Sequence, residues 1–120
     1  MQFLFGSLTF SLQWRKGLSK ELIEQGLVRP GLQVSGVYIP EEKAVKLSAH
    51  LKRLPGELVE VLIHELLHVI ERERRANLKE HKVDELAFGL AEILTRNPKV
   101  WRLLKEAVEN RIDAQNEKPA

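Results

Sequence analysis

The feature that most constrains the fold is a long, mostly apolar stretch that carries two histidines and a glutamate, His64-Glu65-Leu66-Leu67-His68. The stretch begins at Leu54-Pro55-Gly56-Glu57, where the proline suits a first helical position and the glutamate favours the positive helix end. Apolar residues surround the motif, so the sequence predicts a buried helix that ends at about Arg74 or Arg75. Buried histidines and glutamates are costly to desolvate, and a bound cation can offset that cost.

The spacing of these polar residues suits a metal ion. Histidines at positions i and i+4 lie one turn apart on one helix face, so His64 and His68 can reach the same ion. Glu65 is turned by about 100° from His64, where its carboxylate can take a proton from a water activated by the metal. The pattern is typical of zinc hydrolases, most often peptidases. The alternative is a pair of ordinary core histidines.

Composition limits the class of protein. The chain has 120 residues, 43% of them hydrophobic and 30% charged, which predicts one globular domain over residues 1–112 and a frayed tail over residues 113–120. It has no cysteine, which excludes disulfides, thiolate zinc ligands and a cysteine nucleophile. The net charge is +2 and the charges are interleaved, so no nucleic-acid surface is predicted. No apolar run reaches membrane-spanning length and no basic secretion signal precedes Trp14, so we expect no membrane contact and a cytoplasmic location.

The residues before the motif predict a small sheet. The segment from Leu8 to Trp14 alternates apolar and polar residues, which is the period of a half-buried strand. The β-like segments Val34 to Ile39 and Ala44 to Ser48 are separated by a short loop, which predicts an antiparallel hairpin. A short helix is expected from Leu18 to Gly26.

Two more helices are predicted after the motif. One runs from Leu78 to Arg96, and the next begins at Asn97-Pro98, a favourable cap and first position, and ends at about Ile112. The last helix has one apolar face, formed by Val100, Leu103, Leu104, Ala107, Val108 and Ile112. The expected fold is therefore α+β, with a small antiparallel sheet or hairpin followed by three helices, the buried motif helix packing on a glutamate-bearing helix.

A catalytic zinc site needs a third protein ligand besides the two histidines. The candidates on the second helix are Glu80, His81, Asp84 and Glu85. The apolar face of that helix is defined by Val83, Leu86, Ala87, Leu90 and Leu94. Helical periodicity places Glu80 and Asp84 at the border of this face and turns His81 and Glu85 towards solvent.

Glu80 and Asp84 are themselves one helical turn apart. We expect the longer Glu80 to bind zinc and Asp84 to form a hydrogen bond with the outer nitrogen of a ligand histidine. A simple antiparallel pair of helices would set Asp84 level with His68, so the exchanged roles stay open. The alternative is that both acids only complement the positive end of the helix.

With both motifs in place, the chain resembles the gluzincins, zinc peptidases whose third ligand is a glutamate on a separate helix. His64-Glu65-Leu66-Leu67-His68 followed by Glu80-His81-Lys82-Val83-Asp84 is similar to their motifs H-E-x-x-H and E-x-x-x-D, in which the glutamate binds zinc and the aspartate supports a histidine. In size and order the chain resembles a minigluzincin or a small phage-type H-E-x-x-H protein. Residues 80–87 are also similar to metallopeptidases that cleave phage-immunity repressors. The resemblance covers residues 34–96, and the gap between the motifs is shorter than in many gluzincins.

The resemblance implies zinc-dependent peptide-bond hydrolysis, with one Zn²⁺ ion, a peptide or protein substrate and Glu65 as general base. We expect the substrate to add as a strand along Ala44 to Ser48. The oxyanion donor could be Tyr38, His50 or His81, and the sequence does not choose among them. The alternative is a zinc-stabilised, latent or catalytically silent regulatory protein, because such families include inactive members. The lack of cysteine favours an open catalytic site over a closed structural one.

Overall fold

Four short strands in the N-terminal half of the chain pair into a mixed sheet. The computed structural model describes residues 1–117, with side chains through Asp113. The strands are β1 (Gln2–Phe5), β2 (Leu8–Arg15), β3 (Gly36–Ile39) and β4 (Ala44–Ser48). Their order in the sheet is β1-β2-β4-β3, and only the β2–β4 pair is parallel. The α+β class and the β3–β4 hairpin are therefore confirmed, whereas the sheet is mixed and not purely antiparallel.

The strand β1 was not predicted from the sequence. Its residues do not alternate between apolar and polar types, so the period of a half-buried strand is missing. The turn after it contains Gly6, whose φ of 61° lies in the left-handed region that suits a tight connection to β2. The parallel pairing of β2 with β4 joins segments that are distant in sequence, and no local pattern reports such a contact.

The sheet is covered on both faces, and this makes β4 the buried centre of the fold. One face packs on the long helix α2 (Pro55–Arg74) and on the short helical turn at Ala49–Arg53. The buried residues of this core are Phe10, Leu12, Val45, Leu47, Leu51 and Val69. The other face packs on helix α1 (Leu18–Glu24), with Leu18, Leu22 and Ile39 buried together.

The buried lysine of β4 is neutralised on the α1 side of the sheet. The side chain of Lys46 is 2% exposed, and its Nζ lies 3.1 Å from Glu21 Oε2 and 3.5 Å from Glu42 Oε2. A buried ammonium group that lost both carboxylates would be strongly destabilising. This charge cluster therefore belongs to the architecture of the sheet.

Helices α2, α3 (Glu80–Arg96) and α4 (Pro98–Glu117) form the rest of the chain. The motif helix packs on the glutamate-bearing helix as predicted but is less buried than its apolar sequence indicates. Only Glu65 and Val69 of α2 are buried, and most of its apolar residues are half-buried. One side of α2 packs on the sheet and another on α3, and the remainder faces solvent. No helix in the described part of the chain is long and apolar enough to cross a membrane.

The apolar face predicted for α3 is only partly buried. The buried residues are Val83, Ala87 and Ala91, whereas Leu86 and Leu90 are 44% and 43% exposed. Small side chains thus form the contact with α2, and the leucines lie beside it. The apolar face that helical periodicity predicts for α3 is therefore wider than the part of α3 that is buried.

Helix α4 extends beyond its predicted end at Ile112 and leaves the expected apolar face exposed. It is helical to Glu117, so the first part of the predicted frayed tail is helix, and residues 118–120 lie outside the described residues. Every residue from Pro98 to Asp113 is exposed. The amphipathic pattern was correct, but no other part of the described chain covers it.

Strand β3 lies close against α2 at Gly36. A Cβ atom at Gly36 would be 2.7 Å from Val61 Cγ1 and 3.2 Å from Glu65 Cγ. The first distance is shorter than carbon atoms tolerate in a packed core. Because Gly36 has no side chain, strand β3 can approach Glu65, the residue next to His64.

The close approach at Gly36 predicts a sharp contrast between two glycine substitutions. Gly36→Ala should lower the free energy of unfolding by about 1–3 kcal/mol, because the added methyl overpacks the contact with Val61. Gly89→Ala is the matched control: it lies inside α3 with no atom near its added Cβ, and should raise stability by up to about 1 kcal/mol. Urea unfolding of both variants measures the difference. Equal stabilities would contradict the close packing of β3 on α2.

Candidate metal centre

The two motif histidines project from adjacent turns of α2 and meet at their outer ring nitrogens. His64 Nε2 and His68 Nε2 are 3.0 Å apart, and the ring centroids are 4.8 Å apart at an interplanar angle of 65°. Both side chains are about a quarter exposed, at 24% and 23%. The helical spacing therefore brings both imidazoles to one point that solvent can reach.

A single carboxylate from α3 bridges the pair. Glu80 Oε1 lies 3.0 Å from His64 Nε2, and Glu80 Oε2 lies 3.1 Å from His68 Nε2. Glu80 is the first residue of α3, and the link from α2 contains Arg75 and Asn77 in left-handed conformations, with φ of 52° and 55°. These two positions reverse the chain within a few residues, so Glu80 returns to the middle of the motif.

Asp84 approaches the opposite nitrogen of His64. Its Oδ1 lies 3.2 Å from His64 Nδ1, one turn along α3 from Glu80. A simple antiparallel pair of helices would set Asp84 level with His68. The structure instead places Asp84 beside His64. Of the other two candidates, His81 is exposed and Glu85 points to Lys82, whose Nζ lies 3.4 Å from its Oε2.

The donor set fits a tetrahedral divalent metal. If His64 donates its Nδ1 proton to Asp84, its Nε2 carries a lone pair that faces His68 Nε2 and the Glu80 carboxylate. Such a group of acceptors needs a positive charge between its members, either a proton or a metal ion. Ligand atoms around tetrahedral zinc are about 3.3 Å apart, given bonds of about 2.0 Å. The observed separations of 3.0–3.1 Å are close to that value.

Glu71 belongs to the cluster and was missed in the sequence. Its Oε2 lies 3.7 Å from His68 Nδ1, one turn further along α2. The i,i+3 spacing between His68 and Glu71 could have indicated this contact. Each histidine therefore has one acidic residue beside its Nδ1 and shares Glu80 at its Nε2.

Glu65 is the buried member of the motif. Its side chain turns towards the sheet, the residue is 5% exposed, and its Oε2 has no hydrogen-bond partner among the described residues. The pKa of the Glu65 carboxyl is raised above its ordinary value, mainly by burial. His64 and His68 oppose this rise in pKa, and the charge of Glu80 adds to it. A buried oxygen without a partner is costly, so this position is not explained by stability.

Two clefts open on either side of Glu65 along strand β3. One has a volume of about 340 Å³ and is bordered by Gly36, Val61, His64 and Glu65, among others. The other has a volume of about 270 Å³, and Tyr38, Glu65 and His68 are among its lining residues. Both motif histidines and Glu65 can therefore be reached from the β3 side of α2.

The expectation that a substrate adds along Ala44 to Ser48 is wrong. This strand is β4, which pairs with β2 on one side and β3 on the other, and all five of its residues are buried. Its backbone has no free edge in the described sheet, whereas β3 is an edge strand. The Ser48 amide donates to the Ser35 carbonyl at 2.8 Å, so the alternation of an antiparallel pair turns the backbone groups of Gly36 and Tyr38 away from β4.

Two of the three oxyanion candidates are engaged elsewhere. The Tyr38 hydroxyl donates to Glu73 Oε1 at 3.1 Å, and His50 lies against the Ser48 hydroxyl at the end of β4. Burial and the hydrogen bond to Glu73 raise the pKa of Tyr38 to about 12. His81 is exposed on α3. The geometry therefore selects none of them.

Comparison with known proteins does not assign a family. No protein-family model, curated protein or solved structure matches this chain. The fold and the site define an α+β protein with a His-His-Glu cluster between two helices. The gluzincin resemblance remains a prediction from two motifs. The contacts among His64, His68 and Glu80 are compatible with it.

Tyr38 provides a spectroscopic test of its contact with Glu73. It is the only tyrosine, so tyrosinate absorbance reports this residue alone. Since its pKa is raised from about 10 to about 12 on folding, the associated stability is present below pH 10 and is lost as the pH rises towards 12. We expect the folded protein to titrate later than the urea-unfolded chain, and Glu73→Gln to remove part of the difference. Coincident titration curves would place the hydroxyl in solvent.

Proposed function

We propose that this protein is a zinc-dependent peptide hydrolase in which His64, His68 and Glu80 hold one Zn²⁺ ion. The observation that carries the proposal is the convergence of both Nε2 atoms, 3.0 Å apart, on the two oxygens of Glu80 beside the buried carboxylate of Glu65. His64 Nε2 lies 3.0 Å from Glu80 Oε1, and His68 Nε2 lies 3.1 Å from Glu80 Oε2. Two imidazoles and a carboxylate are a common ligand set for catalytic zinc. With three protein ligands, such a site keeps one position open for water or substrate.

The ligand set decides the chemistry. A Zn²⁺ ion held by His64, His68 and Glu80 would supply a Lewis acid for water and for a substrate carbonyl group. Glu65 has a free Oε2 beside the histidines, and we assign it the role of general base. It takes a proton from the attacking water and returns it to the leaving amine.

Acidic neighbours hold the two imidazoles in orientation. Asp84 Oδ1 accepts a hydrogen bond from the Nδ1–H group of His64, which directs the Nε2 lone pair of that ring into the site. Glu71 has the corresponding place at His68, at the longer distance of 3.7 Å. Both acids act through the histidines and do not themselves contact substrate in this proposal.

An extended peptide would bind along the free edge of β3. The backbone groups of Gly36 and Tyr38 that point away from β4 can pair with such a peptide as an added strand. The clefts on either side of Glu65 would receive its side chains. The close contact of β3 with α2 at Gly36 would bring the peptide backbone to the histidine pair.

A catalytically silent zinc protein is the rival to this proposal. In that case the buried carboxylate of Glu65 would serve as a fourth ligand, since its oxygen and the His64 and His68 nitrogens lie within 4.8 Å of one another. A closed site of four side chains would hold α2 and α3 together without hydrolysis. The role of Glu65 therefore distinguishes the two functions.

The substitution Glu65→Gln separates these roles. In the peptidase the variant should keep one zinc per chain but lose hydrolysis of a peptide library by roughly 10²–10⁴-fold, because only the base is removed. In the silent protein it should weaken zinc binding, because a ligand is removed. Zinc content by atomic absorption and cleavage by mass spectrometry measure both. Wild-type cleavage by the variant would rule out the base role. The control is Glu92→Gln, which makes the same change at an exposed position of α3 away from the histidines and both clefts.

The third ligand is tested by ranking four substitutions on α3. Glu80→Ala should lower zinc affinity most, and Asp84→Ala less, by about the 10–100-fold of a residue that orients a ligand. His81→Ala and Glu85→Ala are matched controls that should leave the affinity unchanged. Glu85 pairs with Lys82, and His81 makes no ion pair or hydrogen bond with either motif histidine within the described residues. Titration against a competing chelator gives the order. If His81→Ala or Glu85→Ala caused the largest loss of zinc affinity, the proposed ligand set would be wrong.

A further inference from the structure

Helix α4 has an apolar stripe that the rest of the described chain leaves exposed. The exposed fractions are 44% for Val100, 48% for Trp101, 46% for Leu104, 50% for Val108 and 51% for Ile112. From Trp101 onwards they are spaced by three or four residues, and Val100 is next to Trp101, so all five lie within about 120° of the helix surface. Half-exposed side chains of this size leave on the order of 500 Å² of apolar surface in water, which is at the upper end for a monomer.

A helix in this state has little to stabilise it. An isolated helix depends on residue propensity alone and is marginal in water, because most helical stability in proteins comes from packing of an amphipathic face. Here no residue from Pro98 to Asp113 is buried. A partner that covers the stripe would supply the missing packing.

The charges of α4 have the wrong order for an isolated helix and the right order for an antiparallel partner. The residues before Glu106 include three bases and no acid, whereas the residues from Glu106 onwards include four acids and a single base, Arg111. The bases are Lys99, Arg102 and Lys105, and the acids are Glu106, Glu109, Asp113 and Glu117. The described helix has no acidic residue in its first turn and no basic residue in its last turn. This order opposes the helix dipole, which favours acids at the start and bases at the end.

We propose that α4 is a homodimerisation helix that pairs antiparallel with α4 of a second copy of this chain. In that arrangement the basic half of each helix lies along the acidic half of the other, and the two stripes cover each other. Two surfaces of this size bury about 1,000 Å² together, which approaches the lower limit of a stable interface. A two-fold axis near the middle of the helix satisfies both requirements with one self-complementary surface.

The positions of the apolar residues also define how the two α4 helices align. An axis near Glu106 sets Leu104 against the partner's Val108 and Val100 against the partner's Ile112. In the same register Trp101 faces the partner's Arg111, which allows a cation–π contact. Lys105 and Glu109 flank the stripe and are 4.0 Å apart within one chain. In this register Lys105 lies opposite residue 107 of the second copy, which is two residues from the partner's Glu109.

An anionic membrane is a less suitable occupant of this stripe. Helices that lie on anionic membranes carry lysine and arginine along their polar face. The polar side of the second half of α4 is instead acidic. A second copy of the chain is complementary to both halves.

Sedimentation equilibrium of the full chain tests the proposal. The wild type should dimerise in the micromolar range, and Leu104→Glu, which places a charge in the stripe, should shift the dissociation constant upwards by at least tenfold. Asn110→Glu adds the same charge to the polar side of the helix and should leave the constant within about threefold. Circular dichroism checks that both variants fold. The proposal would be overturned if the wild type stayed monomeric at about 100 µM, or if both variants had equal effects on the dissociation constant.

Charge exchange tests the antiparallel order without touching the apolar stripe. Lys105→Glu and Glu109→Lys should each weaken the dimer, because each places like charges opposite one another. The double variant restores opposite charges and should recover most of the wild-type affinity. A double variant weaker than both single variants would contradict the pairing.

Cysteine cross-linking tests the direction, because the chain has no natural cysteine. A mixture of Val100→Cys and Ile112→Cys chains should give a disulfide-linked dimer under mild oxidation. Val100→Cys alone should give little, since the two copies of residue 100 lie at opposite ends of the interface. Efficient self-linking of Val100→Cys would indicate parallel helices and overturn the proposal. Flotation of a monomeric wild type with phosphatidylserine vesicles would assign the stripe to a membrane and equally overturn it.

Discussion

The convergence of two imidazole nitrogens and one carboxylate between α2 and α3 is the constraint on which the candidate site depends. His64 Nε2, His68 Nε2 and the Glu80 carboxylate meet at 3.0–3.1 Å, so a proton or a cation has to lie between them. Small side chains at Ala87 and Ala91 let the helices approach closely enough for this contact. The short link after α2 fixes where α3 begins. Helix packing and ligand convergence therefore depend on each other.

The sheet has a second role, which is to present one edge to this cluster. Because β4 is buried between β2 and β3, the only strand beside the histidines with a free edge in the described sheet is β3. Gly36 brings that edge against α2, and Glu65 lies between the two elements. A bulkier residue at Gly36 would separate the peptide-binding edge proposed here from the residue proposed to act as base.

Local periodicity predicted the positions that depend on one helix, and failed where two distant segments meet. The helical period placed Glu80 and Asp84 towards α2 correctly because the angle between neighbouring residues is fixed within a helix. It could not indicate that β4 lies inside the sheet, since strand order depends on the parallel pairing with β2. It also identified the apolar side of α4 but not what would cover it. Amphipathicity reports that a surface is apolar and carries no information on its partner.

The parallel pairing of β2 with β4 has a consequence for the order of folding. Ser11 pairs with Ala44 across an intervening helix and strand, so this contact closes a long loop and carries a larger entropic cost than the closure of a short link. The α2–α3 hairpin closes only the short link between its helices, and contacts that are local in sequence form faster. The side chains of the cluster can therefore assemble while the N-terminal strands are still unpaired. If the cluster binds zinc as proposed, a paired α2 and α3 would then offer the sheet a preformed surface on which to complete.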